Sequence, residues 1–186
     1  MNPLFIMLGV IVVLVLVLVG IYNGLVAKRQ TCREAFAGID VQLKQRQNLI
    51  PNLVETVKGY ASHEQETLDQ VIAARNAAIN ASGPTATGQA EGMLTGALGK
   101  LFALAESYPD LKANTNFLQL QQELSSIEDK VAAARRFYNS AVADYNTAIE
   151  QFPAAMFAGG FGFEPRDFFD VGEDRAALSS VPDVKF

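Results

Sequence analysis

The sequence predicts an all-α protein: an N-terminal transmembrane helix continuous with a long helix of an antiparallel helical bundle, three to four helices in all. Three observations predict it. Leu4 to Ile21 runs for 18 positions without a charge, nearly all Val, Leu and Ile. From there, apolar residues recur at a 3,4 spacing through Leu25, Cys32, Phe36, Ile39, Leu43, Ile50, Leu53, Val57, Tyr60, Val71 and Ala78. A second stripe of the same period runs from Phe117 to Phe152. Stripes with this period are how helices bury one face, and a sustained heptad seam is coiled-coil-like.

The apolar run, extended through Leu25 and Val26, is long enough to cross about 30 Å of hydrocarbon as a helix. A cleaved signal peptide is the rival reading. Against it, Met1-Asn2-Pro3 carries no Lys or Arg and no small-residue cleavage site follows. Lys28, Arg29 and Arg33 follow the span while only the α-amino group precedes it, so the charge rule places the body in the cytoplasm. The expected organisation is residues 1–3 outside, 4–26 as a single-pass anchor in the inner membrane, 27–152 as the bundle and 153–186 as a Phe/Gly-rich tail.

The first stripe predicts one rod from Tyr22 to Asn80, about 90 Å long at roughly 1.5 Å per residue. Pro51 is its obvious breaker, because it lacks an N–H and its ring crowds the carbonyl of Gln47. The seam keeps its phase on both sides, so a kink is expected and not a termination. Arg46 falls on the seam just before it, near Asn48 and Asn52. An unpaired buried charge is costly, so Arg46 must reach a carboxylate or amide on another helix or extend to solvent.

After Ala78, Ser82-Gly83-Pro84 marks an exposed connection. A weak helix follows over about Gln89 to Ser107, with three internal glycines at 92, 96 and 99 that make it dependent on packing. Tyr108-Pro109-Asp110 predicts a turn. Asn114 or Thr115 is then a plausible N-cap for a second long helix to about Gln151, whose seam from Phe117 through Leu124, Ile127, Val131, Tyr138 and Tyr145 is wholly apolar or aromatic. Phe152-Pro153 ends it. In the tail, Phe157, Phe161, Phe163, Phe168 and Phe169 lie among Gly and Pro without periodicity. Aromatics at this density find a surface to cover: this chain's own bundle, a neighbouring subunit or the bilayer.

Composition excludes several functions. A net charge of -5 without a basic cluster in the body argues against nucleic acid as a partner. His63 is the only histidine and has no second ligand four residues on, so no metal site is expected. The acidic run Glu64, Glu66 and Asp69 reads as a solvated patch. No phosphate-binding loop and no nucleophile with a base is present, so neither a cofactor nor a catalytic residue is expected. Cys32 is the only cysteine and falls on the seam as a small buried residue.

Several segments together resemble the LemA family of bacterial membrane proteins. They are Tyr22-Asn23-Gly24-Leu25-Val26, Ile39-Asp40-Val41-Gln42-Leu43-Lys44-Gln45-Arg46, Asn48-Leu49-Ile50-Pro51-Asn52-Leu53-Val54 and Glu55-Thr56-Val57-Lys58-Gly59-Tyr60. The likeness resumes at Tyr108-Pro109-Asp110-Leu111-Lys112-Ala113-Asn114, Arg135-Arg136-Phe137-Tyr138-Asn139, Tyr145-Asn146 and Phe152-Pro153. Asn48 departs from it, standing where an acidic residue is expected. The resemblance implies a membrane anchor and an antiparallel helical bundle, and no reaction.

The resemblance also draws attention to two Tyr-Asn steps one heptad apart, Tyr138-Asn139 and Tyr145-Asn146. Their polar groups need partners, and Arg46, Asn48 and Asn52 around Pro51 are the expected supply, together forming a structural polar belt. The resulting expectation is a non-enzymatic, self-associating helical scaffold on the lipid bilayer. The alternative is a signalling or adaptor module that recruits a membrane protein partner through the belt or the aromatic tail.

Overall fold

The computed structural model describes residues 3–170, and the part of the tail beyond Asp170 lies outside the described residues. Five α-helices follow one another: α1 (Pro3–Lys58), α2 (Gln65–Asn80), α3 (Pro84–Ala105), α4 (Pro109–Lys112) and α5 (Thr115–Glu150). Two short 3-10 turns, Ala154–Met156 and Gly159–Phe161, come after α5. Among the described residues there is no strand. The all-α class, the anchor continuous with the first bundle helix and the antiparallel packing follow the expectation.

Helix α1 has 56 residues, roughly 84 Å at about 1.5 Å each. Its first 18 residues, Pro3 to Gly20, are all exposed, with Leu4 to Val19 presenting bare Val, Leu and Ile to the surroundings. An uncharged apolar helix of this length, uncovered by the rest of the chain, is stable when lipid surrounds it. From Leu25 onward α1 buries a stripe and α5 lies antiparallel along it. The register is fixed by two contacts: Cys32 against Ala141, and Arg46 against Glu128. Continued downward, this register brings the end of α5 to the level of Tyr22.

The predicted rod is corrected at one point. It does not run to Asn80: α1 ends at Lys58, and residues 59–64 turn the chain back into α2. Pro51 stays inside the helix, as expected. The stop comes from Gly59, a poor helix former at the helix end, where Tyr60 N–H bonds to the Val57 carbonyl at 3.0 Å and tightens the last turn. The seam had kept its phase across this break by coincidence, since Val71 and Ala78 form a separate buried stripe on α2.

Helices α2 and α3 form a hairpin through Gly83, whose φ of 83° only glycine adopts without strain, and Pro84 opens α3 at a position that needs no N–H. Helix α3 starts earlier than predicted, and Pro109 opens the single turn of α4 where a plain turn was expected. Asn114 caps α5 by accepting from Phe117 N–H at 3.0 Å. The interior falls into two apolar clusters. One, near the anchor, joins α1 from Leu25 to Leu43 with α5 from Ile127 to Ile149 and the tail. The other joins α1 from Ile50 to Val57 with α2, α3, α4 and the start of α5.

Candidate functional site

Two polar constellations stand out, and they are separate. The first lies between the two apolar clusters. Arg46, only 3% exposed, donates through Nη1 to Glu91 Oε2 at 3.1 Å. Its Nη2 donates to Glu128 Oε2 at 2.7 Å and to Thr95 Oγ1 at 2.9 Å. Gln47 Nε2 donates to the other Glu91 oxygen at 3.1 Å. One guanidinium thus ties α1 to α3 and α5 at once, and its planar fork makes that possible. Burial pushes the Glu91 carboxyl above its ordinary range, and the Arg46 charge and the hydrogen bonds from Gln47 and Arg46 pull it partly back.

The carbonyl of Gln47 is the one that Pro51 deprives of its helical donor. Arg75 of α2 supplies a replacement: its Nε donates to the Gln47 oxygen at 2.8 Å. The sequence identified the orphan carbonyl but not its partner.

The second constellation is a clamp along α5. Asn139 donates to the Phe169 carbonyl at 3.1 Å and accepts from Phe169 N–H at 2.8 Å. Asn146 repeats the pattern with Arg166, donating at 3.0 Å and accepting at 2.9 Å. Tyr138 donates its hydroxyl to the Asp167 carbonyl at 2.9 Å. The spacing explains the match. Seven helical residues advance about 10.5 Å, and three extended residues advance about 10 Å, so two amides one heptad apart can grip backbone at positions 166 and 169. Burial raises the Tyr138 phenol above its ordinary value, which keeps the hydroxyl protonated and donating.

The expected single belt is therefore corrected. Arg46 is in the mid-bundle network, whereas Tyr138, Asn139, Tyr145 and Asn146 face the tail. Asn48, Pro51 and Asn52 are exposed and meet neither tyrosine. Tyr145 is buried beneath Arg166, whose guanidinium carbon lies 6.0 Å from the ring centroid. Sequence reasoning missed Glu91, Thr95, Glu128 and Arg75. Glu91 stands among buried small and apolar residues of α3, a position that signals a paired charge.

The tail aromatics divide. Phe163 and Phe169 are buried in the anchor-side cluster, and Phe157 packs against it. Arg29 of α1 lies over the Phe163 ring at 4.9 Å, and the Tyr22 ring meets it edge-on at 5.5 Å. Phe161 and Phe168 remain exposed, as do Phe152 and Met156. Cys32 is buried, and its thiol donates to the Ala141 carbonyl at 3.2 Å. His63 sits exposed in the turn after α1.

Residues 35–186 match the LemA family. Among individual proteins, the chain is 24% identical to magnetosome protein MamQ of Magnetospirillum gryphiswaldense, over 80% of this chain and 64% of that protein. It is 30% identical to protein LemA of Metamycoplasma hominis, over 73% of this chain and 63% of that protein. The chain therefore spans less than two thirds of the length of these relatives. With its apolar N-terminal helix it is a membrane-associated helical protein, and by the extent of the family match it belongs to the LemA family.

Proposed function

We propose that this protein is a membrane-anchored, self-associating helical scaffold without catalytic activity, held in a bacterial inner membrane with its body in the cytoplasm. One observation carries the reading: the polar side chains that would otherwise suggest a site are spent on the chain's own architecture. Arg46 and Glu91 hold three helices together, and Asn139 and Asn146 hold the tail. What remains on the outside is a long anchored rod with single apolar side chains, Val41, Leu118 and Phe137 among them, available to neighbours. Lys28, Arg29 and Arg33 beyond the anchor favour the cytoplasmic side for the body.

Chemical cross-linking of the full-length protein in detergent and in liposomes, across a concentration series, tests self-association. A ladder that ends at a discrete species supports it, and a monomer at every concentration overturns it. The adaptor reading rests on the exposed tail aromatics and on Asn48 and Asn52, because Arg46, Tyr138, Asn139 and Asn146 of the belt are bonded within the chain.

A further inference from the structure

Between the anchor and the first part of the tail lies a cleft of about 540 Å³. One wall is Leu18, Val19 and Tyr22 of α1, and the other is Met156, Phe157 and Phe161. Its size is within the roughly 300–1,000 Å³ of sites that hold a small ligand. We propose that this cleft holds an acyl chain of a bilayer phospholipid, and that the lip from Phe152 to Phe161 is buried in the leaflet beside the anchor.

Depth argues for lipid as the occupant. Leu18 and Val19 belong to the uncharged run that crosses the hydrocarbon, so the cleft opens where acyl chains already surround the helix. Lys28, the first charged residue after the run, stands nine positions beyond Val19, about 14 Å further along the helix. Tyr22 is at the level where amphipathic aromatic rings collect at a membrane boundary.

The lip has the composition that this depth requires. Residues 151–163 carry no charge, and Glu150 and Glu164 close them at either end. Phe152 is 81% exposed, Met156 77% and Phe161 60%, although Phe163, two residues beyond Phe161, is buried. Large side chains left bare next to a transmembrane helix, while their neighbours are packed, fit a surface covered by lipid. Phe157 and Phe161 stack edge-on at 6.0 Å, and Phe161 meets Tyr22 at 5.4 Å, so ring contacts join the tail wall of the cleft to the anchor.

The inference rests on the anchor spanning a bilayer and is independent of self-association. Its test uses full-length protein at one copy per nanodisc. The chain has no Trp, so single substitutions Phe161→Trp, Phe152→Trp and, as a control on the bundle surface, Phe137→Trp each give one tryptophan in the chain, excited selectively over its tyrosines. Phospholipids brominated near the headgroup end of the acyl chain are expected to quench the first two severalfold more than the third. Quenching of neither overturns the proposal. Quenching of Phe152→Trp alone overturns the acyl occupant of the cleft and leaves only an inserted lip.

A second measurement removes dependence on one variant. Val19→Phe is designed to fill the cleft without adding charge. With helix content unchanged by circular dichroism, it is expected to reduce phospholipid retained on the protein in native mass spectrometry. Unchanged retention overturns the site, and a photo-cross-link from position 161 to a second copy assigns the surface to the protein instead.

Discussion

Asn139 and Phe169 exchange a pair of hydrogen bonds, 3.1 Å from the side-chain amide to the carbonyl and 2.8 Å from the backbone N–H to the amide oxygen. A helix side chain here does for an extended segment what a neighbouring strand does in a sheet. Asn146 repeats it with Arg166, and the two pairs fix both the register and the direction of residues 163–170 along α5.

Asn139→Ala removes both bonds and leaves the Phe169 backbone half-buried without them. The expected cost is about 1–3 kcal/mol in denaturant unfolding, with faster hydrogen exchange at Phe169. Asn139→Asp keeps the acceptor and loses the donor, so it is expected to fall between Ala and the parent. Equal exchange at Phe169 in all three proteins would contradict the clamp.

Gly88 marks where the described tail ends against α3. A methyl at this position would lie 2.2 Å from the Asp170 carbonyl oxygen, which no real contact tolerates. Gly88→Ala is therefore expected to displace the segment around Asp170 while improving local helix propensity by about 1 kcal/mol. Limited proteolysis reads the outcome: cleavage near residue 170 accelerates, and cleavage within α3 does not.

Removing one member of the buried network leaves the other charged and unpaired. Arg46→Ala is expected to cost about 3–5 kcal/mol, and Arg46→Met combined with Glu91→Leu to recover much of that loss. Glu128→Ala costs at most about 1 kcal/mol, because the Glu128 side chain is half exposed. Thermal or denaturant unfolding of the three variants beside the parent checks this order.

The same network gives a pH dependence with a definite sign. Burial lifts the folded Glu91 carboxyl above the ordinary 4.5. Between 4.5 and the raised value, the folded state binds more protons than the unfolded chain. The contribution of Glu91 is therefore fully favourable below 4.5 and is lost as pH rises through the folded value. Relative to Glu91→Gln, the parent is expected to gain stability as pH is lowered from 7 toward 4.5, and a constant difference would contradict it.

Arg75 and Pro51 are coupled through one carbonyl. Arg75→Ala leaves the Gln47 oxygen without its 2.8 Å donor, at an expected cost of about 1–3 kcal/mol. In a Pro51→Ala background the restored N–H at position 51 supplies a helical donor, and the cost shrinks. A double-mutant cycle is expected to give a coupling of about 1 kcal/mol, and additivity would break the link.

The sequence by itself determined what depends on near neighbours along the chain. An uncharged apolar run specifies a membrane helix, the stripe from Phe117 to Tyr145 specifies α5, and Asn114 specifies its start. Pro51 and the two Tyr-Asn steps were legible as groups in need of partners, because an orphan carbonyl and a buried amide are visible from residue type alone. Their partners were not legible. Arg75 comes from 28 residues away from Gln47, Glu91 from 45 away from Arg46, and the Asn139 partner from 30 away. The end of α1 at Lys58 was hidden for a different reason: α1 and α2 bury stripes that happen to stay in phase. Local sequence fixes which faces must be covered and which polar groups must be met, and the packing of distant segments decides by what.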